Sequence, residues 1–179
     1  EELFAGRLGE LDHWERTALA LAGRTRTEEV ELFVAQLGCM SHHWTGKVQT
    51  RLACLPALAE RRDKLGKPGE WLVTTLGIAA AEAGQPAEAI TWLERGVELS
   101  RAENGADHPR TIEMRAHLCR GLEQAGEDAR AAAECKAALA RLAHIAPDDV
   151  ALRTLLEAHQ AQAEKDLGNL AEARALWTK

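Results

Sequence analysis

The sequence contains no tyrosine and only two phenylalanines among its 179 residues. Ala, Leu, Glu and Arg dominate instead, so strand formers are too scarce to build a sheet while helix formers are abundant. The chain is predicted to be all-α. Long apolar runs are missing as well: none approaches the roughly 18 residues that a membrane span needs. The first residues carry charge where a secretory signal would be apolar, and no membrane insertion is expected. An excess of positive charge is also lacking, the formal net charge being −6. A nucleic-acid surface needs a clustered basic face to release counterions. The densest basic cluster, Arg61, Arg62, Lys64 and Lys67, is interrupted by Asp63 and reads as a solvated helix face and loop. No nucleic-acid partner is expected.

The four cysteines, Cys39, Cys54, Cys119 and Cys135, show no CxxC spacing. Without a secretory context they read as free thiols in a reducing, cytoplasmic compartment. Cys39, His42 and His43 place three possible metal ligands close together, but a structural zinc site takes four and no second pair completes the set. Cys119 lies two residues from His117, and side chains two apart on a helix point to different sides. A buried packing thiol is the expectation there, not a nucleophile. Nowhere do an acid, a base and a nucleophile converge, so neither catalysis, nor a metal, nor a cofactor is expected. The chain opens Glu1-Glu2 without methionine, which reads as a segment excised from a longer protein.

What is present is helical periodicity. In residues 2–22 apolar positions fall at Phe4, Leu8, Leu11, Ala18 and Ala22, widened by Leu3, Trp14 and Leu19. Thr27 before Glu28 and Glu29 offers a capping oxygen and two acids to the next helix start, followed by the apolar face Val30, Phe33, Val34 and Leu37. These two segments are expected to form a helical hairpin. A third segment, 45–65, carries Val48, Leu52, Leu55 and Leu58, with Pro56 in its midst. Proline removes a backbone donor and clashes with the preceding turn, so a kink or break is expected there. Regular helices are expected at about 70–83, 87–103, 110–125, 128–143, 148–167 and from 170 onward. Pro109 suits a first turn, and Asp148 and Asp149 suit the positive end of the next helix dipole.

The stretch 76–109 sets the pattern for the C-terminal half of the chain. Its hinge glycine, Gly84, recurs as Gly126 and Gly168 at equal intervals of 42 residues. A fixed period of that size marks a stacked array of supersecondary units. Each interval also repeats small residues at matched places. In the first unit Val73, Leu76, Gly77 and Ala80 precede the hinge, and Ala89, Leu93 and Gly96 come after it. The second has Leu118, Cys119 and Leu122, then Ala131, Cys135 and Ala138. The third keeps Ala161, Ala173 and Trp177, but Gln160 and Glu164 stand where large apolar residues belong, so its first helix is expected to be rotated or shifted in register.

This pattern resembles the tetratricopeptide repeat (TPR), in the 42-residue variety found in kinesin light chains and many bacterial signalling proteins. Asp107-His108-Pro109 with Thr111 matches a linker frequent in that variety. The resemblance implies a right-handed α-α superhelix of antiparallel helix pairs. Residues 1–69 would form a helical hairpin and a degenerate repeat, and 70–179 the repeats 70–108, 109–147 and 148–179, the last truncated. It further implies a non-enzymatic scaffold for a protein or peptide partner, within a larger bacterial regulatory protein. The alternative is an intramolecular arm that docks on the catalytic domain of its own chain.

The same resemblance assigns an inner row of side chains: Trp71, Thr74, Ile78 and Ala81, then Glu113, Ala116, Arg120 and Glu123, then Leu155, Ala158, Gln162 and Lys165. The candidate peptide groove is accordingly Trp71, Thr74, Ile78, Glu113, Arg120, Glu123, Leu155 and Gln162. It is a mixed surface, in which Arg120 is expected either to meet a carboxylate of the ligand or to pair with Glu113 or Glu123.

Overall fold

Helix-forming composition and the repeated glycine hinges produce, in the computed structural model, a run of antiparallel helix pairs. The structure describes residues 13, 16–18, 20, 21, 23, 24, 27–44, 48–66 and 69–178, and for 29, 40–44, 48 and 51 the backbone alone. Phe4, Leu8, Leu11, Trp14 and Leu19 therefore lie outside the described residues, as do the side chains of His42 and His43. The helices are α1 (Glu28–Trp44), α2 (Val48–Lys64), α3 (Glu70–Glu82), α4 (Pro86–Asn104), α5 (Pro109–Gln124), α6 (Asp128–Ile145), α7 (Val150–Asp166) and α8 (Leu170–Trp177). No strand occurs among the described residues. Each helix packs on its neighbours in sequence, and α5 also packs on both α3 and α7. The result is the right-handed α-α superhelix.

The hinges are one motif used three times. Gly84, Gly126 and Gly168 have φ of 73°, 74° and 85°, a left-handed conformation that favours glycine. The residue after each donates its N–H five residues back: Gln85 to Ala80 O, Glu127 to Leu122 O and Asn169 to Glu164 O, at 2.9, 2.9 and 2.8 Å. This closure satisfies carbonyls that a helix end leaves open. The hinge reverses the chain sharply enough that the paired helices touch along their length. Small residues then set how closely they cross. A Cβ on Gly77 would stand 2.5 Å from Leu93 Cγ and 3.0 Å from Ala89 O. Ala89, Ala131 and Ala173 recur at this crossing, each at most 1% exposed.

Apolar layers run through successive pairs. Leu55 and Leu58 of α2 share a cluster with Leu72 and Leu76 of α3, so the N-terminal pair is continuous with the first full repeat. Ile90 and Leu93 of α4 meet Leu118 and Leu122 of α5, and Ile112 and Cys119 of α5 join Leu142 of α6 and Leu156 of α7. The loop from Gly105 to Pro109 is fixed by buried hydroxyls. Thr111 Oγ1 donates to Gly105 O at 2.8 Å and lies 3.2 Å from Ser100 Oγ.

Three expectations are corrected. First, α2 runs unbroken through Pro56. The proline is on the exposed side, and Leu55, Leu58 and Ala59 around it are buried. Second, α7 is in register: Ala161 and Ala163 are fully buried, and Gln160 and Glu164 occupy the buried apolar positions themselves, at 4% and 7% exposure. Glu164 is accommodated because Asn169 Nδ2 donates to its Oε2 at 2.7 Å, whereas the Gln160 side chain makes no hydrogen bond among the described residues. Third, the cysteines are not scattered packing thiols. Cys39 meets Cys54 and Cys119 meets Cys135, sulfur against sulfur, and no described cysteine is left over. Spacings of 15 and 16 residues carry each pair to the two sides of a helix crossing, which a search for CxxC does not detect.

Ala89→Leu is expected to destabilise the fold by about 1 to 3 kcal/mol through overpacking, while Glu88→Ala, at an exposed site, changes little; thermal unfolding of both variants measures this. Gln160→Leu is expected to raise stability by about 1 kcal/mol, since it removes a buried amide lacking a protein partner. A lower midpoint in denaturant for that variant would show that the amide is satisfied in solution.

Candidate inner groove

The first helices of three pairs, α3, α5 and α7, lie side by side, and α5 is the middle one. Its sequence alternates buried and half-buried positions. Ile112, Ala116 and Cys119 face the core at 0% exposure, and Glu113, His117 and Arg120 are half-buried on the other side. Against α7 this face bounds a cleft of about 410 Å³ lined by Pro109, Arg110, Glu113, His117, Asp149, Ala151, Leu152 and Leu155. Against α3 it bounds a shallow recess lined by Ile78, Ala81, Leu93, His117, Arg120, Gly121 and Gln124. His117 is common to both.

An ion pair and a histidine–carboxylate contact stitch the three helices together around these hollows. Arg110 Nε donates to Glu70 Oε1 at 3.1 Å and Arg110 Nη1 to Glu113 Oε2 at 2.9 Å. Burial opposes the charge on Arg110, yet its bonds to Glu70 and Glu113 outweigh that cost, and its pKa is raised. His159 Nδ1 lies 3.0 Å from Glu123 Oε2, joining α7 to α5. With Glu113 held by Arg110 and Glu123 by His159, Arg120 makes no hydrogen bond or ion pair among the described residues. It lines the recess together with His117. Burial pushes the His117 pKa down; Glu113 acts in the opposite direction, while Arg120, Arg110 and His159 depress it further.

The eight candidate residues are thus distributed unequally. Ile78 and Arg120 share the recess, and Glu113 and Leu155 share the cleft. Thr74 is buried at 2% exposure; its hydroxyl donates to Glu70 O at 2.8 Å and sits 3.0 Å from Met114 Sδ. It presents no surface to a ligand. Glu123 is turned to His159, and Gln162 Nε2 donates to Asp166 Oδ2 within its own helix at 2.7 Å. Trp71 is half-buried in the first turn of α3 and lines neither hollow. In α5 the assigned inner-row residue Ala116 is in the core, and the groove position belongs to its neighbour, His117. The spacing Glu113, His117, Arg120, Gln124 follows the helical period as well as the assigned one, and the polarity of His117 was the available signal. Arg110 and His159 were also missed, because their roles depend on partners on other helices.

No family profile matches the sequence, and no curated protein does. Solved structures match over nearly the whole chain. The nearly identical TPR-like repeats of a provisionally assigned kinesin light chain from Podosopora anserina align at 19% identity and a TM-score of 0.78, covering 99% of this chain and 89% of that one. A single-substitution variant of that protein gives a TM-score of 0.80 at the same identity. BtubC (BKLC) from P. vanneervenii aligns at 14% identity and a TM-score of 0.86, covering 96% of this chain and 71% of that one. At such identities these likenesses show the fold: the chain is a TPR-like solenoid.

His117 gives the groove a pH signature. Its folded-state pKa is depressed, so the stability due to its neutral form is present above the unfolded value of about 6.5 and is lost as pH falls through the lowered folded value. His117→Gln is expected to lose less stability than the parent between about pH 7 and pH 5. Unfolding midpoints across that window provide the comparison, and parallel curves would contradict the assignment.

Proposed function

We propose that the chain is a non-enzymatic protein-interaction scaffold that takes an extended peptide segment along its inner face. The observation that carries this reading is the half-buried Arg120, which lines the recess and has no hydrogen-bond or ion-pair partner among the described residues, while Arg110 on the same face is engaged by two acids. A guanidinium there offers several fixed donors to a carboxylate, and the ion pairs on either side prearrange the site without consuming those donors. Leu152, Leu155 and Pro109 in the adjoining cleft supply apolar surface for a neighbouring side chain. The TPR-like fold supports a role in protein binding, and no described helix is long and apolar enough to cross a membrane.

The finer reading places this scaffold in a larger bacterial regulatory protein of the cytoplasm, with repeats at 70–108, 109–147 and 148–179. Nucleic acid is not a partner on this reading. Two cations of α2 have acids of the same chain beside them, Arg61 at 3.5 Å from Glu28 and Lys64 at 2.7 Å from Glu60, and Arg62 donates to Gln36. Trp71, at the edge of the inner face, is proposed as a second contact.

A peptide array in which Asp and Glu are scanned along extended segments tests the proposal. Peptides selected by the chain are expected to lose about tenfold or more in affinity for Arg120→Ala. They should lose less for Trp71→Ala, and nothing for Arg101→Ala, which lines a separate hollow with Glu94, Glu98 and Glu134. Equal affinity of the parent and Arg120→Ala would move binding away from the inner face.

A further inference from the structure

The two cysteine pairs occupy one structural position. Cys54 stands twelve residues before the loop glycine Gly66, Leu93 twelve before Gly105, and Cys135 twelve before Pro147. Gly66 and Gly105 share a left-handed conformation at the end of the second helix, with φ of 68° and 94°. In α3–α4 the crossing is filled by Gly77 against Leu93, where a Cβ would meet Leu93 Cγ at 2.5 Å. In α5–α6 the same crossing holds Cys119 and Cys135, and in α1–α2 it holds Cys39 and Cys54. The Cα separations there are 5.5 and 6.0 Å, within the span a disulfide bridges without backbone movement. A small and a large residue can fill this space, and so can two of middle size. Cysteine takes both places wherever it takes either.

Their surroundings differ. Cys119 and Cys135 are both fully buried, and Cys119 Sγ also lies 3.6 Å from Ala131 O. Cys39 is 7% exposed, and Cys54 is half-buried at the margin of its cluster. Exchange requires an external thiolate to reach a sulfur, and Cys54 is the most exposed of the four residues.

We propose that the two pairs are dithiol–disulfide clasps at the helix crossing, of which Cys39–Cys54 exchanges with external thiols in the folded protein and Cys119–Cys135 does not. In reduction, the thiolate of an external dithiol attacks Cys54 Sγ and the bond to Cys39 breaks, leaving a mixed disulfide and the Cys39 thiolate. The second thiol of the reductant then displaces Cys54. Two electrons have passed to the protein, both cysteines end as thiols, and the reductant ends as a disulfide. Glutathione disulfide reverses the sequence by the same exchange. Each clasp closes a short loop across a hairpin and so restricts the unfolded chain, making the oxidised solenoid the more stable form. The proposal stands independently of what the inner groove binds.

The test uses the full chain refolded from denaturant in the presence of glutathione disulfide, so that all four thiols are accessible during oxidation, then denatured, alkylated and mapped by mass spectrometry. Peptides linked as Cys39–Cys54 and Cys119–Cys135, without alkylated thiols, are expected. Four alkylated cysteines, or linkage between the two pairs, would overturn the proposal. Native treatment with dithiothreitol followed by alkylation should label Cys39 and Cys54 well before Cys119 and Cys135, and simultaneous labelling would refute the asymmetry. Oxidation should raise the Tm by roughly 5 to 10 °C. A Cys119→Gly, Cys135→Leu variant, which imports the filling of the α3–α4 crossing, should show a smaller rise. An undiminished rise would remove the second clasp, and the mapping of the parent decides the proposal whether or not this variant folds.

Discussion

Close approach of two helices at a single crossing is the constraint on which the rest depends. Gly77 faces Leu93 with no space for a methyl group, and Ala89 and Ala131 are completely buried beside their partner helices. A pair this close has its apolar side chains displaced to its flanks. Those flanks cannot be covered from within the pair, so the next pair must cover them, and stacking results. The left-handed hinge glycines serve the same end, because a wider turn would not bring the crossing together. Periodicity of 42 residues is therefore the sequence trace of one packing problem solved repeatedly.

The inner face is a consequence of that stacking. Once α3, α5 and α7 lie side by side, charges on their common inner face come within reach of one another, and the distribution of acids decides which cation is left over. Glu70 and Glu113 converge on Arg110, and Glu123 meets His159. Arg120 lies between them with no carboxylate at bonding distance among the described residues. Residues three or four apart on one helix interact by only a few tenths of a kcal/mol, so the own-row pairing of Arg120 with Glu123 yields readily to His159 across the helices, while Glu113, two turns from Arg120, is taken by Arg110 of its own helix.

The fold was legible because its signals are local: glycine spacing, small residues at matched positions, and proline and acids at helix starts. Asp149 illustrates this, its carboxylate accepting from Leu152 N at 2.9 Å. The groove was legible only in part. Ile78, Glu113, Arg120 and Leu155 line hollows, whereas Thr74 is drawn inward because its hydroxyl finds Glu70 O and Met114. His117 was passed over for Ala116, an error of one residue that a helical period does not resolve when both positions are spaced acceptably. Pro56 misled in the other direction: its local cost is real, but buried Leu55 and Leu58 flank it in a helix held from both sides. Gln160 and Glu164 suggested a shifted helix, yet the alanines beside them fix the register more strongly than two polar groups disturb it.

Those two residues also make the junctions of the array unequal. Between α4 and α5 the layer is Ile90, Leu93, Leu118 and Leu122, all apolar, whereas the corresponding places on α7 hold an amide and a carboxylate. Burying polar groups returns little net stabilisation even when they are bonded, so these two places add less to the α6–α7 junction, which is held by Leu142 and Leu156, than Leu118 and Leu122 add between α4 and α5. In a stack where each pair is stabilised by its neighbours, local opening concentrates at the weakest junction. The recess between α3 and α5, which holds Arg120, therefore sits on the firm part of the array. The cleft between α5 and α7 sits on the part that adjusts most readily. Such a division suits a fixed charged contact beside an apolar pocket that can fit side chains of different size.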